Sequence, residues 1–425
     1  MLALGLAGLF VAGEAVRLWI AEALWSTFSV TNLQRALEFD PMDPRIHRIL
    51  GAHFCYLEEP DMAQGLLHFR RATELSPYGS NYWAALGSAC DLASDTACAD
   101  QAFDRAVQFS PAVPHFQWGA ANHYLATDRT DKALTYFHSL LQMDPGYAWP
   151  VFRLCLRATG DPELVYHKVL LPGNDVKLNL TYVNFLAGEG NNLEAARQLW
   201  SQVLSTPSPF PIMAVEPYLE RLVSLGRGEE GKNAWQDLER LGVIPARESG
   251  DRDNLMYNGD FENSPVNAGF DWRSTVMPYL SVDFSDPGAY HGIRCLRLDF
   301  TVSRNEDYVG TYQFVPVDPN HEYMLQAYVR SQNITSDSGP RIQAIDPLCL
   351  TCVNVMSDTT VGTSNWHPIT LKFLTGPKTQ LVEVVVLRPQ GRSFPTEITG
   401  SFWMDSVSLK AVDSSSGEVA PRPAH

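Results

Sequence analysis

Hydrophobic and polar positions follow two different rhythms along this chain. Through residue 248, apolar side chains recur three and four positions apart, the spacing that gathers them on one face of an α-helix. After Gly250-Asp251-Arg252-Asp253 they alternate with polar ones in short runs bounded by Gly, Pro, Asn and Asp, the pattern of half-buried strands. The first part predicts an apolar helix from Met1 to Gly13 that continues through Leu18, Trp19, Ile20, Leu24 and Trp25. It predicts further helices over 28–40, Tyr182–Leu186, Asn192–Leu204, Pro217–Leu225 and Gly231–Leu241. The second part predicts strands over Cys295–Phe300, Val309–Val317, Glu322–Ser331, Arg341–Ile345, His367–Phe373, Leu381–Arg388 and Ser401–Leu409. Pro172-Gly173-Asn174-Asp175 and Pro207-Ser208-Pro209 read as loops. The predicted fold class is multidomain, all-α followed by an all-β antiparallel sandwich.

The helical half repeats itself. Four segments end alike, ALEFDP at Pro41, ATELSP at Pro77, AVQFSP at Pro111 and LLQMDP at Pro145, spaced 36, 34 and 34 residues apart. Interior positions agree: Leu50-Gly51, Ala63 and Phe69 in one repeat, Trp83, Leu86-Gly87, Ala99 and Phe103 in the next, then Ala120-Ala121, Tyr124, Ala133 and Phe137. Small residues let paired helices approach, large ones fill the gaps, and proline ends each second helix. Over 28–145 the chain resembles the tetratricopeptide repeat (TPR) family, whose period is about 34 residues. Residues 146–250 read as irregular TPR-like helices and a cap. The resemblance implies an all-α solenoid that binds a protein or peptide partner on its concave face, where Asn81, His115, Gln117 and Asn122 are candidates. The alternative is that these four are solvated polar positions.

The β half opens with Asn258-Gly259-Asp260-Phe261-Glu262 and Trp272. It continues through Gly292-Ile293-Arg294-Cys295-Leu296-Arg297-Leu298 and closes with Phe402-Trp403-Met404-Asp405-Ser406-Val407-Ser408-Leu409. Over 254–411 this order resembles the galactose-binding-like jelly roll of carbohydrate-binding modules. The resemblance implies a structural calcium with Glu262 and Asp405 among its ligands, hard oxygen donors that suit this ion. The alternative is that both carboxylates cap turns or pair with arginine. Strand alternation turns Tyr323, Leu325, Ala327 and Val329 to the core and Gln326, Tyr328 and Arg330 to the other face. Arg341, Gln343 and Arg388 join them in a candidate ligand set, its arginines suited to an acidic or phosphorylated glycan or another carboxylate. The alternative is a face covered by helices, its arginines paired with acidic residues. Trp272, Trp366 and Trp403 are expected in the core.

Composition narrows the functional classes. A formal net charge of −16, with no dense Lys/Arg cluster, excludes a nucleic-acid partner. Seven cysteines are too few for a disulfide scaffold, yet Cys90/Cys98 and Cys349/Cys352 are spaced as candidate disulfides; the alternative is that most of the seven are buried small hydrophobes. Metalloprotease, nucleophile-elbow, P-loop and dinucleotide motifs are missing from the sequence. Asp346 and Glu383 are carboxylates on or near strands that nothing in the sequence brings together, and no enzyme is expected. Residues 1–27 read as a membrane-anchor or signal helix, with Glu14 and Arg17 near an interface and Trp19 and Trp25 as aromatic anchors. The alternative is a helix of the solenoid. Asn179 and Asn333 are glycosylation sequons. Residues 412–425 read as disordered. The expectation is a non-catalytic, membrane-tethered envelope scaffold, single-pass in a bacterial inner membrane with a periplasmic body. It would bind a protein by its repeats and a polysaccharide by its jelly roll. The alternative is a purely structural assembly subunit without sugar binding.

Overall fold

The computed structural model describes residues 2–26, 29–56, 60–170, 175–205, 209–247, 253–275 and 277–412. The tail from 413, the Pro172-Gly173-Asn174 and Pro207-Ser208 turns and residues 250–252 lie outside the described residues. The chain divides into two compact units, residues 1–186 with 194–206, and residues 187–193 with 207–425.

The first unit is a stack of antiparallel helix pairs. α1 (Leu2–Trp25) and α2 (Val30–Phe39) precede α3 (Pro44–Tyr56) and α4 (Met62–Leu75), α5 (Ser80–Leu92) and α6 (Thr96–Phe109), and α7 (Pro114–Ala126) and α8 (Thr130–Met143). The recurring residue before each proline has a mechanical role. Asp40, Ser76, Ser110 and Asp144 sit in non-helical conformations that end α2, α4, α6 and α8, and their N–H groups donate to Ala36, Ala72, Ala106 and Leu140. Asp61 and Asp95 cap the starts of α4 and α6 by accepting from Gln64 and Cys98. Gly51 and Gly87 face the rings of Phe69 and Phe103, where a Cβ would lie 2.9 and 3.1 Å from ring carbons, so any larger residue would force the rings to give way. A Cys90–Cys98 disulfide ties α5 to α6. α9 (Ala148–Thr159), α10 (Pro162–Val165), α11 (Val176–Ala187) and α12 (Leu193–Leu204) follow without the regular spacing.

The expected membrane anchor needs correction. Among the described residues no helix is long and apolar enough to cross a membrane, so the single-pass inner-membrane placement is not supported. The charged groups of α1 and Trp25 serve the helical unit instead, while Trp19 is exposed. Glu14 pairs with Arg17, whose Nη1 donates to the Phe39 carbonyl at 2.7 Å. Glu22 pairs with Arg45 at 3.1 Å, and the Arg45 guanidinium lies over Trp25. Leu24 and Trp25 pack on the cluster of Leu33, Ala36, Ile46 and Leu50.

The second unit joins a helical hairpin, α13 (Glu216–Ser224) and α14 (Gly228–Arg240), to a β-sandwich. The strands are β1 (Arg273–Ser274), β2 (Leu280–Asp286), β3 (Cys295–Arg304), β4 (Tyr308–Pro316), β5 (Glu322–Ile334), β6 (Arg341–Ile345), β7 (Asn354–Met356), β8 (Gly362–Leu374), β9 (Leu381–Arg388) and β10 (Ile398–Ala411). They form two antiparallel five-stranded sheets, ordered β1-β4-β9-β6-β7 and β2-β3-β10-β5-β8. Inward residues of both sheets make one core that includes Trp272, Leu296, Leu298, Leu325, Val384, Phe402 and Met404. α14 is seated on this body: Trp235 meets Phe270 and Tyr257 edge to face, and Glu220 of α13 holds Arg273 through two hydrogen bonds of 2.6 and 2.9 Å. A Cys349–Cys352 disulfide closes the turn after β6.

Candidate functional site

β5 alternates as its sequence predicts. Tyr323, Leu325, Ala327 and Val329 are buried in the core, while Gln326, Tyr328 and Arg330 point to the outer face of their sheet. β10 and β3 bring more side chains to this face. Phe402 and Met404 point inward, so Trp403 points outward, opposite Arg330 on one side and Arg297 on the other. On β8 the register shifts beside Arg330 and places Trp366 next to it. The Arg330 guanidinium lies between two indoles, 4.1 Å from the Trp403 centroid and 5.4 Å from that of Trp366. Arg297 covers Trp403 from its other side at 5.2 Å. Trp403 is only 4% exposed although it faces out, because these arginines cover it.

The two outward arginines differ in charge compensation. Arg297 pairs with Asp286 at 3.1 Å and with Asp299 at 2.8 Å. Arg330 has no ion pair among the described residues, and its Nε is buried without a hydrogen-bond partner. Beside it the Tyr290 ring stacks on Tyr328, centroids 3.8 Å apart and planes 11° from parallel. Tyr290 is 46% exposed, which leaves its other side open to solvent.

The end motifs hold the loop that carries Tyr290. Asp405 Oδ2 accepts from the backbone N–H groups of Tyr290 and His291 at 2.8 and 3.0 Å. Glu262 Oε1 accepts from those of Ile293 and Arg294 at 2.7 and 3.1 Å. Asp405 is fully buried, and burial, helped by the Glu262 charge, pushes its carboxyl pKa up. Among the described residues neither carboxylate pairs with a cationic side chain. Both thus cap this loop, as the alternative reading has it, and the Ser406 N–H occupies the other Asp405 oxygen; with no counter-charge, the pair could still take a hard cation. No third acidic, His or Cys side chain gathers with them, so the rest of a calcium shell would be carbonyl oxygens and water.

The other sequence-predicted ligand residues lie elsewhere. Arg341 and Gln343 belong to β6 in the opposite sheet, and Gln343 donates to Asn354. Arg388 needs correction. It points into the sandwich, fully buried, and donates to the carbonyls of Ser338, Glu306 and Thr396 and to the Ser336 hydroxyl. Gln326 lines a separate polar cleft of about 440 Å³ with Asn258, Asp260, His291, Ser406 and Lys410. Tyr290, Arg297, Trp366 and Trp403 were not in the expected ligand set. Alternation in Cys295-Leu296-Arg297-Leu298 and Phe402-Trp403-Met404 signals Arg297 and Trp403, whereas a bulge and a loop hide Trp366 and Tyr290.

In the helical unit, a cavity of about 510 Å³ opens between α5 and α7, lined by Asp91, Trp118, Asn122 and His123 among others. His123 is fully enclosed, its two ring nitrogens 2.5 and 2.6 Å from Asp91 and Asp100. Of the expected partner-facing residues, Asn122 lines this cavity and Asn81 and His115 are exposed. Gln117 is buried and donates to Pro111. Each of the three described cavities contains one carboxylate residue, Asp260, Asp91 or Asp358, whereas glycoside hydrolysis needs a facing pair. Asp346 is buried and spends its oxygens on Thr379, Leu348 and Cys349.

No family model and no curated protein sequence matches the chain. Among solved structures, the enzymatically active domain of bacteriophage CBA120 tailspike protein 4 is similar over 38% of this chain, at 15% identity and a TM-score of 0.27, and this chain spans only 22% of it. A CBM4 module is similar over 37% of this chain and 99% of its own, at 13% identity and a TM-score of 0.27. MamA protein is similar over 45% of this chain and 90% of its own, at 14% identity and a TM-score of 0.31. The chain itself combines a helical half with an antiparallel sandwich of two sheets.

Proposed function

We propose that the protein is a non-catalytic scaffold that binds a glycan on the outer face of β2-β3-β10-β5-β8 and a protein or peptide partner on its helical unit. The observation that carries the glycan reading is the exposed Tyr290, stacked on Tyr328 beside Trp366 and Arg330. Flat rings on a rigid sheet, next to an arginine with unused donors, offer stacking area and directional hydrogen bonds at small ordering cost. The cavity between α5 and α7 supports the partner reading, because it offers an aromatic floor at Trp118 with polar groups at Asn122 and Asp91. Glu262 and Asp405 would hold a calcium ion that neutralises them and stiffens the loop bearing Tyr290.

The test is retention of the full chain on immobilised neutral and acidic polysaccharides, with Tyr290→Ala as the variant. Tyr290 is half exposed, so its loss leaves the core intact. Retention weakened at least tenfold by the substitution supports the site. Retention unchanged in Tyr290→Ala, or absent on every polysaccharide, refutes it. In the latter case the alternative of a structural subunit stands, favoured by the way α13 and α14 already occupy sandwich residues Arg273, Phe270 and Tyr257.

A further inference from the structure

Charge bookkeeping around Trp403 says more about what the face takes. Its charged neighbours among the described residues are Arg297, Arg330, Asp286 and Asp299, with Asp283 opposite Arg297 on β2. Asp286 and Asp299 pair with Arg297, Asp286 also accepts from the Gly288 N–H at 2.8 Å, and Asp283 accepts from Ser285. Among the described residues, Arg330 is the guanidinium of this face that forms no ion pair with a carboxylate. It is held flat between two indoles, so its direction is set before any ligand arrives, which lowers the ordering cost of a bidentate contact. A planar monoanion such as a carboxylate matches it. A dianionic phosphate would add a second charge beside Asp286 and Asp299, whose repulsion the single free cation does not offset. The whole chain carries −16, which also disfavours a ligand charged at every residue. The aromatic surfaces beside Arg330, at Tyr290 and Trp366, carry no charge and suit neutral sugar rings.

We infer that the face recognises a glycan in which an isolated uronic acid is flanked by neutral sugars, its carboxylate on Arg330 and a neighbouring ring on Tyr290. This rests on the proposed glycan site and names its ligand class. The experiment measures affinity of the unaltered full chain for three probes. One is a soluble polysaccharide with one glucuronic acid per repeat of several neutral sugars. The second is the same polymer with its carboxyl groups reduced to alcohols. The third is polygalacturonate, acidic at every residue. A charge-assisted contact predicts binding of the first about tenfold to a hundredfold tighter than the second, with the third weaker than the first. Arg330→Gln should erase the difference between the first two, and Arg341→Gln, on the opposite sheet, should preserve it. Equal affinity for the native and reduced polymers would overturn the uronic-acid inference and leave the glycan site standing. Tighter binding of polygalacturonate would overturn the isolated-charge part. No binding to any probe would remove both. The first comparison uses no variant, so it decides even if Arg330→Gln fails to fold.

Discussion

Replacing Arg388 by alanine separates an arginine that builds the sandwich from one that meets a ligand. Its guanidinium is fully enclosed, with bonds of 2.9 Å to the Ser338 carbonyl, 2.5 Å to Glu306, 2.6 Å to Thr396 and 2.9 Å to the Ser336 hydroxyl. These acceptors lie on the connections after β3, β5 and β9, so one side chain fastens three loops. No carboxylate forms an ion pair with it among the described residues, and burial pulls its pKa below the usual arginine value. Truncation leaves the Ser338 and Glu306 carbonyls without a donor, while Thr396 keeps the Ser336 hydroxyl and Ser336 keeps the Ser338 N–H; each unsatisfied buried group costs about 1–3 kcal/mol, and the emptied space adds to that. Relief of the buried charge offsets part of that sum. The balance is about 3–5 kcal/mol, two unsatisfied carbonyls and the cavity of a long buried side chain less that relief.

At about 2–4 °C per kcal/mol for a unit of this size, Arg388→Ala should melt roughly 6–20 °C below the parent. Differential scanning calorimetry of the full chain reads the shift; near-UV circular dichroism would mix the units, since Trp83, Trp118 and Trp200 lie in the first and Trp272, Trp366 and Trp403 in the second. Arg330→Ala is the internal comparison. Its guanidinium makes no hydrogen bond among the described residues, so its loss should cost a few degrees through lost packing on the indoles. A melting temperature for Arg388→Ala within 2 °C of the parent, combined with lost polysaccharide retention, would refute the structural assignment.

Three further outcomes are expected. Gly228→Ala would push a Cβ into the Gln380 carbonyl oxygen, a backbone atom that cannot swing aside. It should destabilise the second unit by about 1–3 kcal/mol despite alanine's better helix propensity, and a melting temperature at or above the parent's would contradict the docking of α14. Asp271 is pushed up to about 6 by burial, against hydrogen bonds from Val266 and Trp272. The folded state then binds more protons than the unfolded one between about pH 4 and 6, so this group makes stability fall as pH rises through that window. Asp271→Asn should remove that slope in urea titrations. Calcium should raise the melting temperature of the parent but not of Asp405→Asn, and identical melts in calcium and chelator would remove the ion from the account.

Much of this architecture is legible in the sequence because its causes are local. The D-P and S-P terminators fix where α2, α4, α6 and α8 stop through steric restriction of the residue before proline. Gly51 and Gly87 mark where Phe69 and Phe103 come in. The charges of Glu14, Arg17 and Glu22 were visible too, but their partners Phe39 and Arg45 come from other helices. An apolar segment therefore read as an anchor where the chain uses a packed helix.

What the sequence could not assign is sheet order, and the ligand set turned on it. Arg330 and Arg341 lie eleven residues apart on successive strands, yet β6 pairs with β9 and β5 with β10, which puts the two arginines on opposite sheets. Arg388 was misplaced for another reason. It ends Leu381-Val382-Glu383-Val384-Val385-Val386-Leu387, where Glu383 alone marks the outer face; that parity sets Arg388 inward with Val382, Val384 and Val386, a place where a charged residue is not expected. In β3 and β10 the alternation is clean, and Arg297 and Trp403 fall on the outer face by inspection. Three arginines of one chemical type thus acquire three roles from topology alone. Arg388 ties loops, Arg297 is consumed by Asp286 and Asp299, and Arg330 is left with its charge unspent, which is why any account of ligand choice on this sheet has to run through that residue.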